Sequence, residues 1–301
     1  MNNHRLKAYL YLTIVAIIWG IAGPIIKFTL GGISTLPFLT YRFGISAIIS
    51  LVFLLPSYKQ IFKRNVFPAV LLFGFLTSTV ALGLLLLGME KTTVLDMSFI
   101  TLINPLIITV AGALFLQDRI TRREKLGISI AFLGSLVTVI QPIFENGFNS
   151  NQIVGNLLVF AYLLANVASV IMAKKLIRKG ISPLTLTSAS FIIGFISLLP
   201  FFLSNSSLSI TTLTNLPLVY HLSIFYMAVI SGNLAYTLWV KGQKTIEVSE
   251  AALFNYLLPV FSTPLAIFWL GEKLSMTLLF GVVLIISGVI IAEYKKRVNK
   301  N

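Results

Sequence analysis

The sequence holds no cysteine, and among its 301 residues there are only 9 acids and 2 histidines. Lack of cysteine rules out disulfides, thiolate metal sites and cysteine nucleophiles. His4 and His221 have no ligand partner at metal-binding spacing, so no metal and no cofactor are expected. Charge of both signs is scarce: 11% of residues are charged, against roughly 25% in a soluble domain. A folded surface facing water needs more than that, so lipid must cover much of the chain. There is also no H-E-x-x-H, no phosphate-binding glycine loop with lysine and no paired mid-span carboxylates, so enzyme chemistry is not expected.

What is present is apolar. Hydrophobic residues make up 57% of the chain, and mean hydropathy is +0.94. A membrane helix needs about 20 mostly apolar residues, and within lipid the backbone must bond to itself, which favours helices. Ten runs qualify: 8–26, 36–55, 66–88, 97–116, 126–143, 153–173, 183–203, 217–240, 251–270 and 276–293. Span two carries Arg42, and the other spans are uncharged in the middle. The first run is long for a signal-peptide core and ends at Lys27 without a small-residue cleavage pattern, so it is read as a span. The loops near 141–152 and 204–216 are rich in Asn and Ser, as connections should be.

Basic residues set the orientation. With the N-terminus cytoplasmic, the inside segments hold nineteen of the 23 lysines and arginines. The outside holds three, Lys27, Lys91 and Lys273, and Arg42 completes the count. The net charge of +14 is therefore a cytoplasmic collar beside the lipid bilayer, not a nucleic-acid surface. The expected place is the cytoplasmic membrane, crossed many times, with both termini inside.

The chain also repeats itself. NPLIITVAGALFLQDRIT (104–121) aligns without a gap on LPVFSTPLAIFWLGEKLS (258–275), at an offset of 154 residues. Pro105 falls on Pro259, Thr109 on Thr263, Leu116 on Leu270, and Asp118-Arg119 on Glu272-Lys273; Gly127 and Gly134 fall on Gly281 and Gly288, and Asp96 on Glu250. Five spans per copy is an odd number, so the second copy is inverted. The expected fold is all-α integral membrane, with ten transmembrane helices as two inverted five-helix repeats, 1–145 and 146–301. That plan recurs in secondary transporters, with the substrate near the midplane. Pro24, Pro105 and Pro259 are expected to break helices. At the two repeated sites the freed carbonyls either line a cavity or mark a packing kink. The glycine pairs, seven residues apart, read as close helix contacts.

The sequence resembles the EamA-type members of the drug/metabolite transporter superfamily. The residues that carry the resemblance are W-G-x-x-x-P-x-x-K from Trp19 to Lys27, P-x-x-x-x-R from Pro37 to Arg42, N-P at Asn104-Pro105 and L-P at Leu258-Pro259. The loops L-Q-D-R-I-T and L-G-E-K-L-S that follow the last two also match; Gln117-Asp118 departs from the usual Gly-Glu, which Gly271-Glu272 keeps. The resemblance implies a cavity opened alternately to each side and a small organic substrate, often exported, such as an amino acid, a nucleotide-like metabolite or a sugar.

Polar groups inside hydrocarbon are functional candidates. Arg42 either snorkels to the outer interface or faces the cavity. Lys27 either anchors the interface or attracts an anionic group. Asn104, Asn166, Asn233 and Asn255 either join helices or line the cavity, and Trp19, Tyr162, Tyr236, Trp239 and Tyr256 offer apolar bodies with polar tips. Asn233, Tyr236 and Trp239 form the favoured substrate-facing stripe at helical spacing. Asp96 and Glu250 are expected at helix N-termini. The expected function is a secondary transporter, exporter or exchanger, of a small metabolite; a channel, a non-transporting membrane component and a lipid-handling protein are the alternatives.

Because the natural chain is cysteine-free, single cysteines report topology directly. In intact cells a membrane-impermeant maleimide is expected to label Lys273→Cys and to spare Lys179→Cys until the membrane is opened. Equal labelling of both would overturn the orientation.

Overall fold

The computed structural model describes residues 3–62, 66–116, 121–147, 151–204, 213–243 and 253–293. Asp118, Arg119 and Glu250, which belong to the repeat alignment, lie outside the described residues. No strand occurs among the described residues. The main helical segments are α1 (Asn3–Leu30), α2 (Thr35–Leu54), α3 (Phe67–Lys91), α4 (Val94–Phe115), α5 (Arg122–Asn146), α6 (Asn151–Arg178), α7 (Pro183–Ser204), α8 (Leu218–Gly242), α9 (Phe254–Phe268) and α10 (Met276–Glu293). Among the described residues, α1 to α8 are long and apolar enough to cross a membrane, while α9 and α10 are shorter apolar helices.

Four of these segments are interrupted. α3 and α8 contain π-helical stretches at Phe75–Ala81 and Tyr226–Leu234. In α4 a 3-10 turn, Thr101–Ile103, leads into Asn104-Pro105; in α9 the turn Leu253–Leu257 leads into Leu258-Pro259. The cause is the same in both. Proline lacks an N–H, and its ring excludes the carbonyl four residues back, here Thr101 and Asn255. Pro24 also sits inside α1.

Polarity runs opposite to that of a soluble domain. Large apolar residues such as Ile48, Val52, Phe115, Phe144, Phe201 and Phe268 are exposed, while Ser46, Ser50, Ser78, Ser135, Thr138 and Asn156 are buried. Lipid gives no hydrophobic drive between helices, so small and hydrogen-bonding residues belong at the contacts.

The packing partners follow a pattern. α2 lies on α7, α4 on α9 and α5 on α10. α1 packs on α8 and α9, and α6 on α3 and α4; α2 packs on α8, and α3 on α7. Exchanging each helix with the one five places along maps this set onto itself. Other contacts have no counterpart of similar extent among the described residues: α1 touches α3 and α4, α4 touches α5 and α10, and α5 touches α6.

The α5–α10 contact is the tightest. A Cβ on Gly127 would lie 2.5 Å from Gly288 O, and one on Gly134 would lie 2.7 Å from Gly281 O. The two glycine pairs thus let two antiparallel backbones touch. Gly288→Ala drives a methyl into the Gly127 carbonyl and the Ala131 backbone. It is expected to destabilise the protein by about 1–3 kcal/mol, the usual cost of overpacking. Gly83→Ala, where nothing lies within 4 Å, should leave thermal unfolding in detergent unchanged or raised.

Candidate functional site: an internal cavity and a clamped end

Trp19 on α1 fixes one wall of the interior. Its indole Nε1 donates to Ser231 O at 3.0 Å, a carbonyl of the π-helical stretch in α8. Its ring packs against Tyr236 and Trp239, both with centroids 5.3 Å away. Tyr236 stands edge-on to Phe191 of α7 and is within electrostatic reach of Arg42 on α2 and Tyr162 on α6. One turn along α6 from Tyr162, the Asn166 Oδ1 accepts from Asn104 Nδ2 at 3.2 Å. The Asn104 Oδ1 is buried with no partner. Trp19, Tyr162 and Tyr236 are half-buried, so accessible space remains beside them, near the level of the proline break in α4.

Several sequence candidates fall elsewhere. Asn233 is turned toward α2: its Oδ1 accepts from Ser50 Oγ and its Nδ2 donates to Ala228 O, both at 3.1 Å. It lies within the π-helical stretch, so the stripe with Tyr236 and Trp239 is not continuous. Asn255 sits in the turn that opens α9. Tyr256 and Pro259 line a second, apolar cavity of about 540 Å³ with Phe99 and Leu102 of α4 and Ile286 of α10. Asp96 keeps a helix-start position, with Thr93 Oγ1 capping its N–H, and its carboxylate accepts from Thr92 and from Gln152 of α6.

Lys27 performs a different task from both of those expected. Its Nζ donates to Met89 O at 2.7 Å and Thr92 O at 2.6 Å, the carbonyls left open where α3 ends. Two residues later α4 begins, and the carboxylate of Glu272 accepts from Val94 N at 2.7 Å and Leu95 N at 2.9 Å. Glu90 does the same for α2, accepting from the Thr35 N and Oγ1 at 2.6 Å each. A cation at a helix C-terminus and anions at helix N-termini complement the helix dipoles. Burial pushes the Glu272 carboxyl above its ordinary range, and the two amides and Lys27 oppose that shift. Gly271 delivers Glu272: its φ of 69° is open to glycine at low cost, and Glu272 N reaches back six residues to Ala266 O at 3.0 Å, which closes the end of α9.

A sequence profile of the EamA-like transporter family matches the chain twice, over residues 6–140 and 153–294. The chain belongs to this family. It is 27% identical to "Uncharacterized transporter YyaM" of Bacillus subtilis, over 98% of this chain and 96% of that protein. It is also 27% identical, over 95% of each, to a "Probable amino-acid metabolite efflux pump" of Salmonella typhimurium. A solved crystal structure superposes with a TM-score of 0.65 at 16% identity, over 95% of this chain and 96% of that one, which supports the fold.

Two EamA-type motifs seen in the sequence thus meet at one place. Trp19 and Lys27, two turns apart, reach the cavity wall and the α3 end, while Gly20 between them lies against Leu258 and Phe261 of α9. Gly271-Glu272 arrives from the opposite half. The sequence separates Lys27 from Glu272 by 245 residues, and only the charge signs at helix-end positions hint at the shared junction. Glu272→Ala is expected to lower stability by about 1 kcal/mol, the usual worth of a lost N-terminal cap. Glu272→Gln should retain part of it, both read by thermal unfolding in detergent.

Proposed function

We propose that the chain is a secondary carrier. It moves a small organic metabolite, such as an amino acid, across the cytoplasmic membrane by alternating access, as an exporter or exchanger. Ten helices, α1 to α10, cross the bilayer as two inverted halves, 1–145 and 146–301, with both termini cytoplasmic. The observation that carries this reading is the exchange pairing: α1 packs on α8 and α9 as α6 packs on α3 and α4, α2 on α8 as α7 on α3, and α2–α7, α4–α9 and α5–α10 pair across the chain. Two inverted copies of one plan around a midplane site are the architecture of secondary carriers. The double profile match and the paired proline breaks support the same halves. Named relatives include transporters and an amino-acid metabolite efflux pump. The end bearing Lys27, Glu90 and Glu272 is clamped, and the charge count assigns it to the outside.

The cavity candidates are Trp19, Arg42, Asn104, Tyr162, Asn166, Tyr236 and Trp239, with Lys27 at the clamped end. In proteoliposomes, flux of radiolabelled amino acids and related metabolites should saturate and be stimulated by counter-substrate. Bridging Lys27→Cys on α1 to Lys91→Cys on α3 with a short bis-methanethiosulfonate should abolish flux, and reduction of the bridge should restore it. Non-saturating flux, or flux indifferent to the bridge, would overturn alternating access.

A further inference from the structure

Among the described residues, the buried and half-buried ionic groups at the helix ends are provided for, and Arg42 is not. Lys27 has two carbonyls, Glu272 two amides, and Asp96 two side-chain donors. Arg42 has none of these. It is the eighth residue of α2, about 10 Å along the helix axis at 1.5 Å per residue, and only 4% of it is exposed. The side chain has therefore turned into the bundle and does not snorkel along lipid. Its Nε is buried without a partner. Among the described residues its one resolved electrostatic neighbour is the Tyr236 phenol, and its Cζ lies 5.9 Å from the Phe43 ring centroid. A guanidinium cannot shed its charge in a protein, and burying it unpaired is costly. The balancing charge must come from something that enters.

The surroundings say what that is. Tyr236 and Tyr162 supply phenols on the cavity side, and Trp19 and Phe191 supply ring faces and edges around Tyr236. A guanidinium fork matches a carboxylate through two parallel hydrogen bonds. One fixed positive charge suits a monoanion: a dianion would leave its second charge uncompensated in the same low-dielectric space.

We propose that Arg42 is the anion-binding group of the cavity, and that the substrate is a small organic monocarboxylate whose apolar or aromatic body rests against Trp19 and Tyr236. This deepens the carrier reading and rests on it. It adds the substrate class and names the group that selects it.

The test uses the purified full chain in detergent, with thermal unfolding and tryptophan fluorescence as readouts. The probes are 3-phenylpropionate and L-leucine, each against its own carboxamide, with potassium chloride at matched ionic strength. The carboxylates are expected to raise the melting temperature saturably, and the amides to need at least tenfold higher concentration. Arg42→Gln should abolish that preference, and Arg42→Lys, which keeps the charge and loses the fork, should weaken it. Without ligand, Arg42→Gln should melt no lower than the natural protein, because it removes an uncompensated charge. A packing role alone predicts the reverse, a lower melting point with the preference intact, and that result overturns the proposal. So does an equal response to acid and amide, or a shift that chloride reproduces. If proteoliposomes carry a neutral or cationic solute while no carboxylate binds, the carrier stands and the anion site falls. If carboxylates bind through Arg42 and nothing is transported, the site stands and the carrier reading falls.

Discussion

Backbone amides and carbonyls that a helix does not satisfy must find partners inside a low-dielectric interior, and this need organises the protein. Each interruption frees such groups. In α8 the carbonyls of the π-helical stretch are taken up by side chains: Ser231 O by the Trp19 indole, and Ala228 O by Ser46 and Asn233. At the α3–α4 junction the carbonyls go to Lys27 and the amides to Glu272. Three of the side chains that repair the backbone, Trp19, Ser46 and Glu272, also join helices far apart in the sequence. Stability and inter-helix geometry rest on the same bonds.

The contacts differ in how readily they break. Between α5 and α10 the glycine pairs bring backbones together with no side chain between them. Such packing depends on exact shape, and separating it forfeits dispersion contacts that nothing replaces. The clamp of α1 on α3 and α4 is built of charge-assisted hydrogen bonds at a helix end. There water can take over each partner, so the net cost of opening is far smaller than the gross strength of the bonds. The α5–α10 pair reads as a frame, and the α1 end as the part able to move.

The sequence made the helical plan legible because membrane helices announce themselves by length and composition, and the loops between them by charge. The glycine pairs were legible as well, since a spacing of seven puts both on one face. Other features were not. The stripe of Asn233, Tyr236 and Trp239 assumed 3.6 residues per turn, and the π-helical stretch that contains Asn233 changes that spacing, so its amide turns to Ser50. The Gly271 turn sets the end of α9, and Pro259 lies where its opening 3-10 turn gives way to α-helix. Sequence alone leaves Lys27 as an anchor or a lure for anions, because periodicity does not reveal which helix end lies beside it. Asn104 and Asn166 share only their polarity in the sequence, on different helices, and the structure pairs them directly.

A site able to release its cargo needs a cation that is held in place without being neutralised. Lys27 and Arg42 show the two alternatives in one molecule. The ammonium of Lys27 spends its donors on α3 carbonyls, which fixes a helix end and leaves little to attract a ligand. Arg42 is held by the wall of α2 and the aromatic groups around it, and none of these neutralises it. An internal carboxylate partner would stabilise the resting protein and raise the cost of accepting an anion, since the ligand would have to displace it. Leaving the partner out moves that interaction energy from the fold to the ligand. A ligand shifts a two-state equilibrium only by its differential affinity for the two states, and an unpaired buried cation whose solvent access changes with the clamp is one way to supply that difference.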